Sequence, residues 1–164
     1  MRIFQNMKKV AVMASIVLIL SSCGSGTKQS QSSSYKKTTS TKSKTSTKLN
    51  FRNVSFNEAV AMAKKEDKPI FIDFYATWCG PCKIMDKQVF NSKPVANMYN
   101  KEFVNLKIDV DSREGKALAD KYGVEALPTL VIIEPSGKKL ASNKGMMWSQ
   151  DMTLLGKKAL KKYH

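Results

Sequence analysis

The chain has 164 residues, enough for one domain of ordinary size, and 42% of them are hydrophobic, which is enough for a genuine core. Its 28 basic and 13 acidic residues give a net charge of +15, a value that would suit nucleic acid or an anionic surface as a partner. The nine basic residues before Asn50 leave 19 against all 13 acids in 50–164, a net charge of only +6. Most of the positive charge therefore lies outside the predicted folded part, and we expect no nucleic-acid partner.

Residues 1–22 have the layout of a secretory signal, because a basic start is followed by an apolar run from Val10 to Leu20 and then by small residues. This run is too short to cross a bilayer as a helix, which takes roughly 20 residues. The sequence LSSC at 20–23 resembles the lipobox of bacterial lipoproteins, in which the cysteine is lipidated and becomes the first mature residue. We expect acylated Cys23 to anchor the protein in a lipid bilayer, the alternative being a plain secreted protein with an unpaired thiol.

Residues 23–49 form the second predicted segment. After Cys23 it contains fourteen Ser or Thr, six Lys and a single aromatic residue. Such a composition buries too little apolar surface to offset the entropy of ordering, so we expect a disordered tether. A flexible coil of this length would have a root-mean-square span of roughly 28 Å, which lets a domain stand off the membrane surface.

The folded domain is predicted at 50–164, where helical and strand patterns alternate. The predicted elements, in order, are a helix that begins with the capping box at 55–58 and ends at 67–69, a strand at 70–75, helices at 83–90 and from Pro94, a strand at 104–110, a helix from 111–114 to Gly123, strands at 129–134 and 139–142, and a helix at 149–162. This order predicts an α/β fold in which a central mixed β-sheet is flanked by helices.

The sequence WCGPC at 78–82 places two cysteines two residues apart. A zinc site needs four ligands, usually Cys or His, and the remaining candidates are Cys23 and the terminal His164, so we expect no metal within a single chain. A permanent disulfide across two intervening residues would constrain little of the unfolded chain. The remaining interpretation is a disulfide between Cys79 and Cys82 that opens and closes, which requires no cofactor.

The position of each cysteine suggests its role. Cys79 lies where a helix is predicted to begin, and the unpaired N–H groups and dipole of that end favour a thiolate, the form that attacks. Cys82 is then the resolving cysteine, and Gly80 and Pro81 keep the turn tight. Asp73 lies within an apolar strand, where an unpaired carboxylate is costly, so we interpret it as functional rather than as a solvent-facing residue at a strand end.

Residues 50–164 resemble the thioredoxin family. The sequence IDFYATWCGPCK at 72–83 matches the family's strand, tryptophan, cysteine pair and following lysine, and YGVEALPTLVII at 122–133 matches its second signature, a loop with a cis-proline, here Pro128. The chain departs from small cytosolic thioredoxins because the proline that kinks the active-site helix is absent near Lys87. In addition, 90–109 looks more like the thioredoxin-like domains of exported bacterial thiol-disulfide proteins.

This resemblance implies a thioredoxin fold and a thiol-disulfide oxidoreductase in which Cys79 attacks and Cys82 resolves. It implies that Asp73 is the buried acid that takes the proton from Cys82 through water. Lys107 matches the lysine that pairs with this acid and tunes its pKa, although its place on an alternating strand also suits a solvated residue.

The resemblance also implies a substrate groove beside the cysteines, where the cis-proline leaves backbone groups free to bind an extended peptide. The predicted substrate-binding residues are Trp78, Gly80, Pro81, Leu127, Pro128 and Thr129. Met146, Met147 and Trp148 could extend an apolar surface there, but we interpret them as core residues, as Met and aromatic residues usually are.

The Gly80-Pro81 pair resembles the reducing members of the family, so we predict that the protein reduces disulfides of exported proteins. The alternatives are a disulfide oxidase or isomerase, and a non-catalytic adaptor that docks partners at the Pro128 groove. Exported compartments are oxidising, so a reductase there requires a membrane thiol electron donor. We expect a monomer in the bacterial cell envelope, and Gly24, in place of the aspartate associated with inner-membrane retention, indicates the outer membrane facing the periplasm.

The predicted anchor can be tested with Cys23→Ser in the full chain. We expect this change to move the protein from the membrane fraction to the soluble fraction without unfolding 50–164, because only the acylated cysteine holds it to the bilayer. Fractionation followed by circular dichroism measures both properties, with Cys79→Ser as a control that stays in the membrane fraction. Wild-type protein that is already soluble after export would show that the lipobox interpretation is wrong.

Overall fold

The computed structural model describes residues 47–164; the predicted signal at 1–22, Cys23 and the tether up to residue 46 lie outside the described residues. The elements are α1 (Phe56–Glu66), β1 (Ile70–Tyr75), α2 (Gly80–Ile84), a π-helical segment (Met85–Val89), α3 (Lys93–Glu102), β2 (Val104–Asp109), α4 (Arg113–Tyr122), β3 (Thr129–Ile133), β4 (Lys139–Lys144) and α5 (Ser149–Tyr163). In this part of the chain, no helix combines the length and apolar character that a membrane span needs.

The four strands form one mixed sheet in the order β2-β1-β3-β4. Strand β1 pairs in parallel with β2 and antiparallel with β3, and β3 pairs antiparallel with β4. The parallel connection requires a crossover, and α2, the π-helical segment and α3 supply it. The mixed sheet with flanking helices confirms the fold class that the alternation of elements predicts.

The sheet separates two hydrophobic clusters because successive side chains of a strand point to opposite faces. On one face Phe71 packs with residues of the π-helical segment, α3 and α5, including Met85, Tyr99 and Met152. On the other face α1 and α4 cover the sheet. With helices on both sides, β1 is buried along almost its whole length, which is why its sequence is a continuous apolar run interrupted only by Asp73.

Local sequence signals place the helix ends as expected. Ser55 and Glu58 form the reciprocal bonds of a capping box at the start of α1, and Ser112 caps α4 by accepting a hydrogen bond from the N–H of Gly115. Gly123 ends α4 in the left-handed conformation, with φ 69°, which glycine adopts without steric cost. These caps involve only neighbours in sequence, so they could be identified before the fold was known.

The helix after the cysteines differs from the prediction. Residues 83–90 were expected to form one α-helix, but α2 ends at Ile84 and the chain continues as a π-helix, in which the N–H of Phe90 donates to the carbonyl of Met85 at 2.9 Å. The wider turn allows Val89 and Phe90, adjacent in sequence, both to be buried in the core. The gain in burial explains why the regular helix is interrupted here.

Two further predictions need correction. Leu49 was assigned to the tether, but it is buried and its N–H donates to the carbonyl of Phe90, so the folded part includes it. The sequence predicts Trp148 as a core residue, yet it is 52% exposed, because α5 fills the core from Met152 and Leu155 instead. Met146 and Met147 are half-buried and pack against the core cluster, as expected.

Candidate active site

Cys79 and Cys82 are joined by a disulfide at the start of α2, with an S–S distance of 2.03 Å. Cys79 is the N-cap residue of α2, and the backbone N–H of Cys82 points at its Sγ at 3.2 Å. Pro81 lies in the first turn, where a missing N–H costs nothing. In the reduced state this N–H would favour negative charge on the Cys79 sulfur, in agreement with its predicted attacking role.

A groove of about 450 Å³ opens beside the disulfide. Its walls include Trp78, Cys79, Gly80 and Pro81 on one side and the segment from Val124 to Leu127 on the other. Cys82 is not among the lining residues, although both cysteines are buried, with 3% of Cys79 and 2% of Cys82 exposed. A partner in this groove would therefore meet Cys79 first, which is the arrangement that an attacking and a resolving cysteine require.

Trp78 is 68% exposed, the most exposed of the large hydrophobic side chains in the described chain. Its indole N–H donates to Oδ2 of Asp111 at 2.8 Å, and Asp111 lies in the turn after β2. One hydrogen bond thus fixes the orientation of an apolar ring that projects beside the cysteines. This surface position agrees with the predicted contact between Trp78 and substrates.

The peptide bond between Leu127 and Pro128 is cis, as the second signature implies. Leu127 lines the groove and packs against Cys79 and Cys82. Pro128 and Thr129 are buried, and the Thr129 hydroxyl donates to the carbonyl of Ala126. Of the six predicted substrate-binding residues, Trp78, Gly80, Pro81 and Leu127 line the groove, whereas the side chains of Pro128 and Thr129 lie behind it.

Asp73 is buried, with 1% of its side chain exposed, so the alternative of a solvent-facing carboxylate at a strand end is wrong. Its Oδ2 accepts a hydrogen bond from Nζ of Lys107 at 2.9 Å, and the two residues are register partners on β1 and β2. The predicted pair between Lys107 and Asp73 is therefore present. Asp73 points to the same sheet face as Tyr75, which packs against the cysteine pair.

A second carboxylate reaches Lys107, and sequence reasoning missed it. Oδ1 of Asp86, in the π-helical segment, lies 2.5 Å from Nζ of Lys107. The available signal was the spacing, because Asp86 follows Cys82 by four residues, and such residues share one face of a helix. The ammonium of Lys107 also lies 4.4 Å from the ring centroid of Tyr75 and 5.4 Å from those of Phe51 and Phe90, so three aromatic rings border it.

Comparison with known proteins agrees with this site. A family model described as thioredoxin-like matches residues 51–135, slightly more than half of the chain. The chain belongs to the thioredoxin-like family. Its members are thiol-disulfide oxidoreductases, and the Cys79–Cys82 pair of this thioredoxin-like protein occupies the position of their redox-active pair.

Individual relatives support this assignment. Thioredoxin-1 of Drosophila melanogaster is 46% identical over 80 residues, which cover 49% of this chain and 69% of the relative. The solution structure of a candidate disulphide-isomerase from Bacteroides thetaiotaomicron is 41% identical, covers 70% of this chain and 94% of its own, and has a TM-score of 0.63. The oxidised C-terminal domain of DsbD from Neisseria meningitidis is 27% identical, with coverages of 59% and 85% and a TM-score of 0.53.

The electrostatics of this thioredoxin-like site follow from burial. Loss of solvation raises the pKa of Asp73 from 3.8 to about 6, although the charge and hydrogen bond of Lys107 act in the opposite direction. Burial lowers the pKa of Lys107, but the Asp73 and Asp86 carboxylates outweigh this effect and the net pKa is raised. Lys107 therefore stays protonated, while Asp73 changes its charge close to neutral pH.

The pKa of Asp73 predicts how Asp73→Asn changes stability with pH. Because this pKa is higher in the folded chain than in the unfolded chain, the stability that Asp73 contributes is fully present below about pH 4 and is lost as the pH rises through about 6. Asp73→Asn removes that loss, so it should stabilise the protein at pH 8 by up to about 3 kcal/mol and have little effect at pH 4. Urea unfolding at both pH values measures the difference.

Asp120→Asn is the matched control, because Asp120 is an exposed acid on α4 on the other side of the sheet. It removes the same formal charge and should give no gain at pH 8. An equal effect of Asp73→Asn at pH 4 and pH 8 would contradict a raised pKa at Asp73.

Proposed function

We propose that this protein reduces disulfides of exported proteins, with Cys79 as the nucleophile and Cys82 as the resolving cysteine. The proposal is carried by one observation, a redox-capable pair at the start of α2 of which Cys79 lines an open groove and Cys82 does not. The groove is lined by the apolar surfaces of Trp78 and Leu127, which suit a polypeptide substrate more than a small polar one.

The reaction begins with both cysteines reduced. The Cys79 thiolate attacks one sulfur of a substrate disulfide, so that a mixed disulfide forms and the first substrate thiolate leaves. The Cys82 thiolate then attacks Sγ of Cys79, which forms the intramolecular disulfide and releases the second substrate thiolate. Two electrons pass from the cysteine pair to the substrate, and the two substrate thiolates take up the two protons that Cys79 and Cys82 give up.

Asp73 is the proposed proton acceptor for Cys82 in the second step. The resolving thiol must lose its proton before it attacks, and a buried carboxylate with a pKa of about 6 is ionised near neutral pH and can accept that proton. Lys107 holds Asp73 in position through the bond to Oδ2, which leaves Oδ1 without a protein donor among the described residues. Oδ1 is thus the oxygen at which Asp73 can take up a proton.

The proposed setting is the bacterial cell envelope, with acylated Cys23 in a bilayer and the domain working as a monomer on its tether. Support comes from the signal-like 1–22 segment and the LSSC sequence at 20–23. An oxidising compartment would keep the Cys79–Cys82 pair oxidised, so a reductase there requires a membrane dithiol as electron donor. The outer membrane facing the periplasm is the proposed location, since the residue after Cys23 is glycine rather than aspartate.

Disulfide isomerisation is the second candidate. The similarity to the candidate disulphide-isomerase from Bacteroides thetaiotaomicron, which extends over 94% of that protein, favours it. An isomerase uses the same attack by Cys79 but lets a substrate thiol, rather than Cys82, resolve the mixed disulfide. The two activities therefore differ in the reduction potential of the pair and in the fate of the mixed disulfide.

The reduction potential tests the direction of electron flow. We expect the Cys79–Cys82 couple to lie near the reducing value of roughly −270 mV, away from the strong oxidants at about −120 mV. The reason is the Gly80-Pro81 pair between the cysteines, which resembles that of the reducing members of the family. Equilibration of the purified protein with glutathione buffers, followed by thiol quantification, gives the potential.

Since ~30 mV corresponds to about 1.4 kcal/mol for two electrons, the reducing and oxidising ends of this range are easily separated. A potential near the oxidising end, with oxidation of reduced test proteins faster than reduction of their disulfides, would replace the reductase with an oxidase. An intermediate potential together with fast repair of scrambled disulfides would favour the isomerase.

Trapping in cells tests the substrate class and the roles of the two cysteines. In Cys82→Ala the second step is blocked, so we expect mixed disulfides between Cys79 and exported proteins to accumulate. The matched control, Cys79→Ala, lacks the nucleophile and should trap nothing. Non-reducing gels and mass spectrometry identify the trapped proteins; adducts on Cys79→Ala alone would reverse the assignment of the two cysteines.

A further inference from the structure

Lys107 holds two carboxylates at once. Its Nζ lies 2.9 Å from Oδ2 of Asp73 and 2.5 Å from Oδ1 of Asp86, so the two acidic side chains approach each other across one ammonium group. Their surroundings differ sharply, because the exposed fraction of the side chain is 1% for Asp73, 19% for Lys107 and 42% for Asp86. The three side chains thus form a charged column, a chain of two ion pairs that extends from the buried Asp73 to the partly exposed Asp86.

The π-helical segment is the element that brings Asp86 to this column. It starts directly after α2, and the bond from the N–H of Phe90 to the carbonyl of Met85 closes its wide turn. Single π-helical turns inside α-helices occur frequently at functional sites. Since Asp86 also follows Cys82 by four residues, it lies one helical turn beyond the resolving cysteine, on the side that faces Lys107.

We propose that Asp86 is a positioning residue that shares the Lys107 ammonium with Asp73 and thereby sets the pH at which Asp73 exchanges its proton. The importance of that proton for catalysis rests on the function proposed above. The physical argument has two parts. A lysine ammonium that serves two carboxylates stabilises each of them less than it would stabilise one, and the negative charge of Asp86 directly opposes ionisation of Asp73.

Among the described residues, Asp73 and Asp86 are the acids that form ion pairs with Lys107. On β2, Asp109 shares the sheet face of Lys107, but its Oδ1 accepts a hydrogen bond from the N–H of Asp111. The neighbouring strand β3 carries no ionisable side chain along its five residues, TLVII. On β1 itself, Tyr75 shares the face of Asp73, and its ring contacts Lys107. On α2, Cys82 does not titrate while it is disulfide-bonded, and Lys83 is exposed. In the π-helical segment, Lys87 is also exposed, so Asp86 is the charged group of that segment that contacts Lys107.

The test is Asp86→Asn in the full chain, with the titration of the Asp73 carboxyl carbon followed by NMR in the disulfide state. We expect the midpoint of Asp73 to move to lower pH by roughly half a pH unit, the size expected for two unit charges about 5 Å apart in a water-like dielectric. Lys107→Met should move the midpoint to higher pH. Asp86→Glu, which keeps the charge, should restore a midpoint close to that of the wild type.

Asp120→Asn is again the control, because it removes an acidic charge from α4 without touching Lys107, and it should leave the midpoint unchanged. An unchanged or raised midpoint in Asp86→Asn would overturn the proposal, whatever the activity of the protein. A lowered midpoint would support it.

A second readout separates this proposal from the proposed function. The pH dependence of mixed-disulfide release should move to lower pH in Asp86→Asn, in step with the Asp73 midpoint, and should disappear in Asp73→Asn. If the midpoint moves while no disulfide exchange occurs at any pH, the proposed function fails and the role of Asp86 is supported. If mixed-disulfide release depends on Asp73 but Asp86→Asn leaves the titration midpoint of Asp73 unchanged, the proposed function is supported and the role of Asp86 is wrong.

Discussion

The ion pair between Asp73 and Lys107 joins the central strand β1 to its parallel neighbour β2 at the edge of the sheet. A carboxylate in the middle of a buried strand would be costly without a partner, so β2 must present a cation at the register position opposite Asp73. Because the crossover between the two strands contains α2, the pairing of β1 with β2 places the cysteines above the sheet. The charge of the site thus depends on this buried pair, whereas strand pairing and apolar burial hold β1 and β2 together.

The pair also shows how a protein can hold a carboxyl group whose charge changes near neutral pH. Burial alone would favour the neutral acid, and a lysine ammonium paired with Asp73 alone would favour the carboxylate. In this site the two tendencies oppose each other, and the pKa of Asp73 comes to about 6. A residue in this balance contributes less to stability when it is ionised, which is the usual relation between a functional group and the fold that carries it.

The groove distinguishes the two cysteines by position rather than by burial, since 3% of Cys79 and 2% of Cys82 is exposed. Cys79 and Cys82 are three residues apart and covalently linked, yet only Cys79 lines the groove that Trp78 and Leu127 border. The hydrogen bond from Trp78 to Asp111 orients the indole ring on one wall of the groove.

The sequence alone determined the fold class, the cysteine pair and the caps of α1 and α4, because each depends on periodicity or on residues close together in the chain. The cis bond before Pro128 was expected from the resemblance to thioredoxins. The pair of Asp73 with Lys107 was accessible only through the resemblance to thioredoxins, since 34 positions separate the two residues. Tertiary structure decided the rest. The second carboxylate on Lys107 and the π-helical turn arise where Val89 and Phe90 both enter the core, and Trp148 is exposed because Met152 and Leu155 already fill the space beneath α5. Which side chains fill the core depends on contacts between segments far apart in the chain, and a local sequence pattern does not contain that information.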